Sequence, residues 1–426
     1  MGFSGKAWDD RATTPGKDEL VNMAIDCQTP NAKFIAEQVI TTQAANWRVE
    51  HVTDLSPEDP LWTQWEELAG SRLFLAPRWL MPWWRAYRAP GSQLLLLTVR
   101  NAQDELIGLA PWFLQRTWLS GNKLQSLGCG LACTDYMSIL TQPHKEEAVL
   151  SALAEYLKQR MPQIDHIYLE GIEADNLTMG RFAQIMATQY GYQSRDVECL
   201  DCFRLPLPAD WETWVMQLSR SRRRRVRQLW RDQFDTGKAV IKVAHDENTL
   251  AEGFEILVDL HQRRQNAIGH PGSFASKAFY EFLWEAAQRH LASGQLRLQW
   301  VELEGKPVAA QLDLQEGDTL LDYCSGIAID CEYARPGWLG VTAGIRHAIE
   351  SGRTTFDFLR GDESYKSHWR AEPVKMIHLD LVPPTFKGRM LARLRATLGH
   401  AKALAKRLLR PTAKPEQSAT NGEDDS

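Results

Sequence analysis

An internal repeat constrains the fold of this chain more than any other feature of its sequence. The stretch PRWLMPWWRAYRAPGSQLLLLTVRNAQDELIGLAPWFLQ from Pro77 parallels AFYEFLWEAAQRHLASGQLRLQWVELEGKPVAAQLDLQ from Ala278. Each reads as an aromatic-rich amphipathic helix, a Gly/Ser break, an apolar strand, a polar turn and a second apolar strand. Trp83 aligns with Trp284, Leu94 roughly with Leu296, and Ile107-Gly108 with Val308-Ala309, an offset of about 201 residues. Solenoid repeats run to about 20–50 residues, so this spacing implies two copies of one domain.

Both copies continue in the same sense. The first goes on with a helix over 146–160, a strand over 166–171 and a helix over 177–190; the second has a helix over 340–352 and a strand over 354–359. Antiparallel strands followed by a helix and a strand beside them predict a mixed, mostly antiparallel sheet flanked by helices, an α/β (α+β) fold. Two prolines in LPLPADWE mark the break between copies. The expected division is a disordered or loosely attached segment over 1–45, a first domain without catalysis of its own over 46–207, and a second domain carrying the site over 208–385. A basic amphipathic helix over 386–410 and a disordered tail over 411–426 complete it.

Composition removes several classes. The 426 residues are 44% hydrophobic, enough core for two to three domains. A net charge of −5 excludes a globally basic nucleic-acid binder while leaving room for local basic patches. The run of four leucines at 94–97 falls far short of the roughly 18 apolar residues of a spanning helix. The polar start has no apolar core of a secretory signal, and seven cysteines, an odd number, read as reduced thiols, so the expected location is cytoplasmic.

If the copies share a scaffold, function belongs where they differ. The second copy enters its helix through ARPGWLGVTAG, residues 334–344. Gly337 and Gly340 let the backbone approach a ligand, and the helix N-terminus with Arg335 suits a phosphate or pyrophosphate, with Leu339 and Val341 in the same turn. The first copy has TQPHKEEAVL there, with two acids that would repel an anion. A plain turn before a helix is the alternative reading of the glycines. Next comes FDFLRGDESYKSHWR, where a strand end is followed by a crowd of titratable side chains: Asp357, Glu363, Tyr365, Lys366, with Gly361 and Trp369. Ligands gather at the carboxyl ends of strands in open sheets, although a polar surface turn would look similar. A third group, LHQRRQNAIGHPGSF, puts His261 and Arg264 three apart on one helix face, which makes His261 a candidate proton carrier or a structural histidine.

These residues carry a resemblance. The landmarks Lys306-Pro307-Val308-Ala309, Tyr333-Ala334, Pro336-Gly337, Gly352, Asp357-Phe358, Gly361 and Tyr365-Lys366, with Leu218 to Arg225 and Leu260-His261 upstream, resemble the CelD-like acetyltransferase family of cellulose biosynthesis within the GNAT superfamily. The similarity covers roughly residues 210–372, and 90–140 more weakly. It implies two tandem GNAT-like domains, as in the Fem-type aminoacyltransferases, an acetyl-CoA or other acyl-CoA donor, and work on envelope or exopolysaccharide precursors. The Tyr365-Lys366 pair is similar to an aromatic–Lys pair of the Fem-type enzymes, whose lysine contacts the donor or the reaction centre. The common Gln/Arg-x-x-Gly-x-Gly/Ala spacing is replaced here by Arg335-x-Gly337-x-x-Gly340, which leaves an aminoacyl-tRNA open as the alternative donor.

Two basic segments remain. Seven arginines fall between Arg220 and Arg231 on a predicted helix, either a phosphate contact or a solvated face with Val226, Leu229 and Trp230 packed inward. Residues 386–410 hold eight Lys/Arg and no Asp or Glu, with Met390, Leu391, Leu394, Leu398 and Leu408 at near-helical spacing; this suits either an anionic membrane surface or an ordinary docked helix. Cys199, Cys202, Cys129 and Cys133 lack the surrounding knuckle pattern of a zinc site, and no metal is expected.

The resulting expectation is an acyltransferase with one active site, in the second domain. Residues 337–341 hold the donor's pyrophosphate, a base from Asp357, Glu363 or His261 takes the acceptor's proton, and Lys366 with Tyr365 stabilises the oxyanion or fixes the donor. Arg264, Gly361 and Trp369 contact substrate. The expected partner is a saccharide or amine acceptor, lipid-linked in one version, with nucleic acid only as a tRNA donor. A non-catalytic scaffold of a polysaccharide-synthesis complex is the remaining alternative.

Overall fold

The run Leu94 to Leu97 is apolar on both faces because helices cover its strand from both sides. Leu94 and Leu96 enter one core, while Leu95, Leu97 and Val99 enter another. A half-exposed strand would alternate instead. A computed structural model describes residues 40–41, 47–117, 121–160, 163–331, 335–361 and 365–409, all within one compact unit, Glu37–Ser426. Within the expected disordered segment, Ile40 and Thr41 form a short strand paired with Val49 and Arg48. The rest of 1–45, and the tail over 411–426, lie outside the described residues.

The first half runs β1 (Ile40–Thr41), β2 (Arg48–Val52), α1 (Pro60–Ala69), α2 (Pro77–Tyr87), β3 (Ser92–Arg100), β4 (Leu106–Thr117), β5 (Gly121–Ser126), β6 (Leu140–Thr141), α3 (Glu146–Gln159), β7 (His166–Glu173), α4 (Leu177–Tyr190) and β8 (Gln193–Glu198). The second runs β9 (Cys202–Pro206), α5 (Trp211–Gln217), α6 (Arg220–Leu229), β10 (Ala239–Val243), α7 (Glu247–Ala267), α8 (Lys277–Ala292), β11 (Leu296–Leu303), β12 (Lys306–Glu316), β13 (Thr319–Ile327), α9 (Pro336–Glu350), β14 (Thr355–Arg360), α10 (Tyr365–His368), β15 (Glu372–Val374), β16 (Met376–Val382) and α11 (Phe386–Leu409). The repeat is visible in α2-β3-β4 against α8-β11-β12. Its two aromatic helices pack on each other: Trp79 meets Phe282 edge to face at 4.9 Å, and both sit in one core that spans the halves.

There are two mostly antiparallel sheets, of orders β1-β2-β3-β4-β5-β7-β16-β8, with β6 on β4, and β10-β11-β12-β13-β14-β9-β15. They do not respect the division at 207/208. Strand β9, drawn with the first domain, pairs with β14 and β15 of the second sheet, and β16, drawn with the second, fills the gap between β7 and β8 of the first. Each half thus lends the other a strand, and only Lys375 separates β15 from β16. Pairing of this kind is non-local, so MIHLDLV betrays a strand without saying which sheet it joins.

Candidate active site

Strands β13 and β14 run parallel and pair only at their starts, Thr319 to Leu321 against Thr355 to Asp357. Beyond that point they splay. β13 stays on β12 as far as Ile327, while β14 is drawn toward β9 and the first half. The open wedge lies at the carboxyl ends of both strands, where ligands enter sheets of this kind.

Two cavities occupy the wedge. One, of about 230 Å³, is lined by His261, Arg264, Asp322, Ser325 and Lys366, together with Cys133, Asp135 and Arg360. The second, of about 280 Å³, adjoins it through Arg264 and Ser325 and runs along the start of α9, lined by Arg335, Gly337, Trp338, Gly340, Val341 and Trp369. A third recess of about 210 Å³ continues past Arg335 and Trp338 to Arg225, Gln228 and Gln233 beside α6. Shared lining residues place the three side by side, in a row along the groove.

Helix α9 begins without a side-chain cap: Arg335 occupies the N-cap position and makes no capping bond. Pro336 has no N–H and the Trp338 N–H donates to the Arg335 carbonyl at 3.1 Å, so the first turn offers an anion the Gly337 N–H and the helix dipole. The two glycines differ. A Cβ on Gly337 would stand 3.6 Å from Ile327, an ordinary contact, whereas one on Gly340 would come within 3.2 Å of Ala309 and Gln311. Gly337 keeps the groove open, and Gly340 lets the helix press onto β12. Leu339 is fully buried and lines neither cavity, so its placement is a packing one.

Several candidate residues do other work than expected. Asp357 is buried and faces away from the groove. Its carboxylate accepts the Tyr136 hydroxyl at 2.6 Å, Arg204 Nε at 3.1 Å and the Leu359 amide at 2.7 Å. Burial pushes its pKa up, and these donors oppose the shift. Both oxygens are engaged, and Asp357 lines none of the cavities, so the carboxylate is not presented to an acceptor. Lys366, also buried, donates from Nζ to the Leu359 carbonyl at 3.2 Å. The two together hold both backbone groups of Leu359, which sits at φ +53°, a left-handed conformation uncommon outside glycine. Strain of this sort persists when the surroundings over-determine it. Here it turns β14 at the wedge.

His261 has partners on both ring nitrogens. The Ser325 carbonyl can only accept, so Nδ1 carries the hydrogen at 3.1 Å, and Nε2 accepts the Ser273 amide at 3.4 Å. Burial lowers its pKa, which favours the neutral ring that this arrangement needs. It pins α7 to β13. Gly361 is buried and lines neither cavity. Glu363 lies outside the described residues, and only the backbone of Tyr365 lies within them.

Sequence reasoning missed the contribution of the first half. Asp135 and Arg360 form a forked ion pair at 2.6 and 2.8 Å inside the first cavity, closed by the Arg360 amide on the other Asp135 oxygen at 3.2 Å. Asp135 comes from a loop of the first half and Arg360 from β14, so the cavity is built between halves. Residues Cys133 and Tyr136, at φ +46° and +58°, mark that loop as shaped against local preference, a signal invisible in ACTDYM. Asp322 was also missed. It is buried at the cavity wall and accepts Gln311 Nε2 at 3.5 Å. Among the described residues no group of three or more His, Cys, Asp or Glu could hold a metal ion.

With this geometry in place, the comparisons with known proteins are specific about class. Residues 220–367 match the family described as acetyltransferase (GNAT) domain. That stretch contains the wedge, α9 and Lys366, so the part of the chain that builds most of the site is similar to a GNAT acetyltransferase domain. The whole chain resembles the solved structure of FemX, with a TM-score of 0.52 at 12% identity over 81% of this chain and 95% of that one. It also resembles a conserved protein of unknown function from Bacteroides thetaiotaomicron VPI-5482, with a TM-score of 0.51 at 7% identity over 78% and 100% of the two chains. A tandem GNAT protein from the clavulanic acid biosynthesis pathway matches with a TM-score of 0.45 at 11% identity, over 79% of this chain and 98% of that one. No curated protein matches. The fold is mixed α/β, two mostly antiparallel sheets flanked by helices, with the GNAT match confined to residues 220–367.

Proposed function

We propose that the protein is an acyl-CoA-dependent acyltransferase, with acetyl the leading acyl group, and that it modifies an amine or hydroxyl of an envelope or exopolysaccharide precursor in the manner of the CelD-like family. The observation that carries this reading is the row of adjoining cavities from Asp322 and Lys366, past the uncapped start of α9, to Arg335 and Arg225. An extended donor with a reactive end, an amide-rich arm and phosphates at its far end matches that sequence of environments. Acyl-CoA would supply a thioester carbonyl open to direct attack without a covalent enzyme intermediate, the acyl C–S bond breaking to release CoA, which leaves as the thiol once its sulfur takes up a proton.

The chain's own groups then divide the work. The Gly337 N–H, the dipole of α9 and the Arg335 guanidinium hold the pyrophosphate, and the missing side chain of Gly337 gives it room. Arg225 and Gln228 receive the nucleotide's remaining phosphate. The Asp322 carboxylate, on the wall of the first cavity, takes the proton from the acceptor amine or hydroxyl as it attacks. Lys366 and Asp357 keep the Leu359 turn in place, so they position the reacting end. The Asp135–Arg360 pair fixes the opposite wall, where a polar saccharide acceptor finds both a donor and an acceptor.

A second reading, transfer from an aminoacyl-tRNA, is favoured by one feature. Arg220, Arg223, Arg224, Arg227 and Arg231 line a further recess on α6 that meets the third through Gln228. A cationic face of this length suits successive phosphodiesters. Calorimetric titration of the purified chain with acetyl-CoA and, separately, with charged tRNA at two salt concentrations tests the choice. Acetyl-CoA binding that weakens in Arg335→Gln supports the first reading. RNA binding with a steep salt dependence that Arg224→Gln relaxes, and no heat from acetyl-CoA, would replace it with the second. No binding of either would favour the scaffold.

A further inference from the structure

Helix α11 leaves the first sheet by a narrow attachment. Leu391 is buried against the start of β5, and Lys387 Nζ pairs with Asp165 at 2.8 Å. On the same helix Phe386, Met390, Leu394 and Leu398 stand 86, 50, 45 and 54% exposed. They recur every fourth residue, so they form one slowly winding apolar stripe on the outside of the helix. Arg389 and Arg393, each one position before Met390 and Leu394, are exposed along its flank, and neither makes an ion pair among the described residues. Residues 386–410 carry eight Lys/Arg and no acid, on a chain whose net charge is −5.

We propose that α11 docks the protein on an anionic lipid surface, its apolar stripe in the acyl–headgroup boundary and its arginines on the headgroup phosphates. Each half of the pattern excludes a different competitor. An apolar stripe has no use on a polyphosphate such as RNA. A second copy of the same helix would bring seven Lys/Arg against seven, with no acid in either helix to offset them. A bilayer with anionic headgroups satisfies the stripe and the charge at once. The helix, about 36 Å long at 1.5 Å per residue, lies on the surface: no helix among the described residues is long and apolar enough to cross a membrane. The inference stands apart from the choice of acyl donor.

The test is co-sedimentation of the full chain with phosphatidylcholine vesicles, with and without phosphatidylglycerol, at low and high salt. Binding is expected only with phosphatidylglycerol and is expected to fall with salt. Met390→Asp with Leu394→Asp should abolish it, and Arg389→Gln with Arg393→Gln should cut the partition coefficient about five-fold per charge. Because all four side chains are exposed, the variants should keep the wild-type thermal midpoint, which separates lost docking from lost folding. Equal binding to both vesicle types, or phosphatidylglycerol binding that the Asp variants retain, would overturn the proposal. A concentration-dependent dimer that the Asp variants dissolve, without vesicle binding, would overturn it in favour of a second copy.

Discussion

Replacing Asp357 with Asn separates a positioning carboxylate from a catalytic base. Asn keeps the shape but turns one oxygen into an NH2. On one side that group would face the Leu359 amide, on the other the Tyr136 hydroxyl and Arg204 Nε. Either orientation sets donor against donor at a side chain only 1% exposed. At least one charge-assisted bond goes, about 1.5–3 kcal/mol, and a buried donor left unpaired costs about 1–3 kcal/mol more. Relief from burying a carboxylate, whose pKa burial has raised, offsets part of this. The expected net loss is about 2–4 kcal/mol, read as a lower urea midpoint at unchanged m-value. Arg204 is not stranded, since Glu173 also holds it at 3.0 Å, which keeps the loss below that of a fully broken buried pair. A double-mutant cycle with Tyr136→Phe should show coupling of about 1–2 kcal/mol. Activity should fall through a weaker donor affinity as well as a lower kcat, because the Leu359 turn loosens. A variant within about 0.5 kcal/mol of wild type that loses kcat alone would refute this reasoning and restore Asp357 as the base.

Other outcomes follow from the same geometry. Gly340→Val should destabilise the chain by about 1–3 kcal/mol in urea melts, because its Cβ meets Ala309 and Gln311 at 3.2 Å, whereas Gly337→Ala should leave stability within about 0.5 kcal/mol. His290 is fully buried and its pKa is held down to about 3, first by burial and then by Arg78. The folded state therefore binds fewer protons than the unfolded one between about pH 6.5 and 3, and stability is lost there as pH is lowered, by up to about 1.4 kcal/mol per unit. His290→Leu should flatten that slope. Asp313 has the opposite sign: it is buried, neither oxygen has a hydrogen-bond partner, and burial and then Asp322 raise its pKa. Its contribution favours the fold at acid pH and is lost as pH rises, so Asp313→Asn should gain on wild type as pH increases; an advantage that shrinks with rising pH would contradict this assignment.

Much of the fold was legible because it is local. The helix-strand-strand repeat and the helices over 177–190 and 220–229 follow from periodicity, whereas α9, read as starting at Gly340, begins one turn earlier at Pro336. The exchange of β9 and β16 was not, since strand order depends on partners hundreds of residues away. The site divides the same way. Arg335, Gly337 and Lys366 lie on the groove, as their place in the second copy suggested. Asp357 and His261 have the chemistry of a base, but both are tied into hydrogen bonds with Leu359, Tyr136, Arg204 and Ser273, which only three dimensions reveal. Asp135 escaped notice because it belongs to the half expected to be inert.

The central claim is that the donor lies along the start of α9. Gly337→Glu tests it most directly: the Cβ has room beside Ile327, and an acid in the first turn of a helix suits the dipole, so folding should be preserved. The same carboxylate would occupy the place proposed for the pyrophosphate. Titration with acetyl-CoA should show binding to the wild type, and affinity at least about tenfold weaker in the variant, beyond about 1.4 kcal/mol, at an unchanged thermal midpoint. Equal affinity in both proteins would place the donor elsewhere and contradict the account.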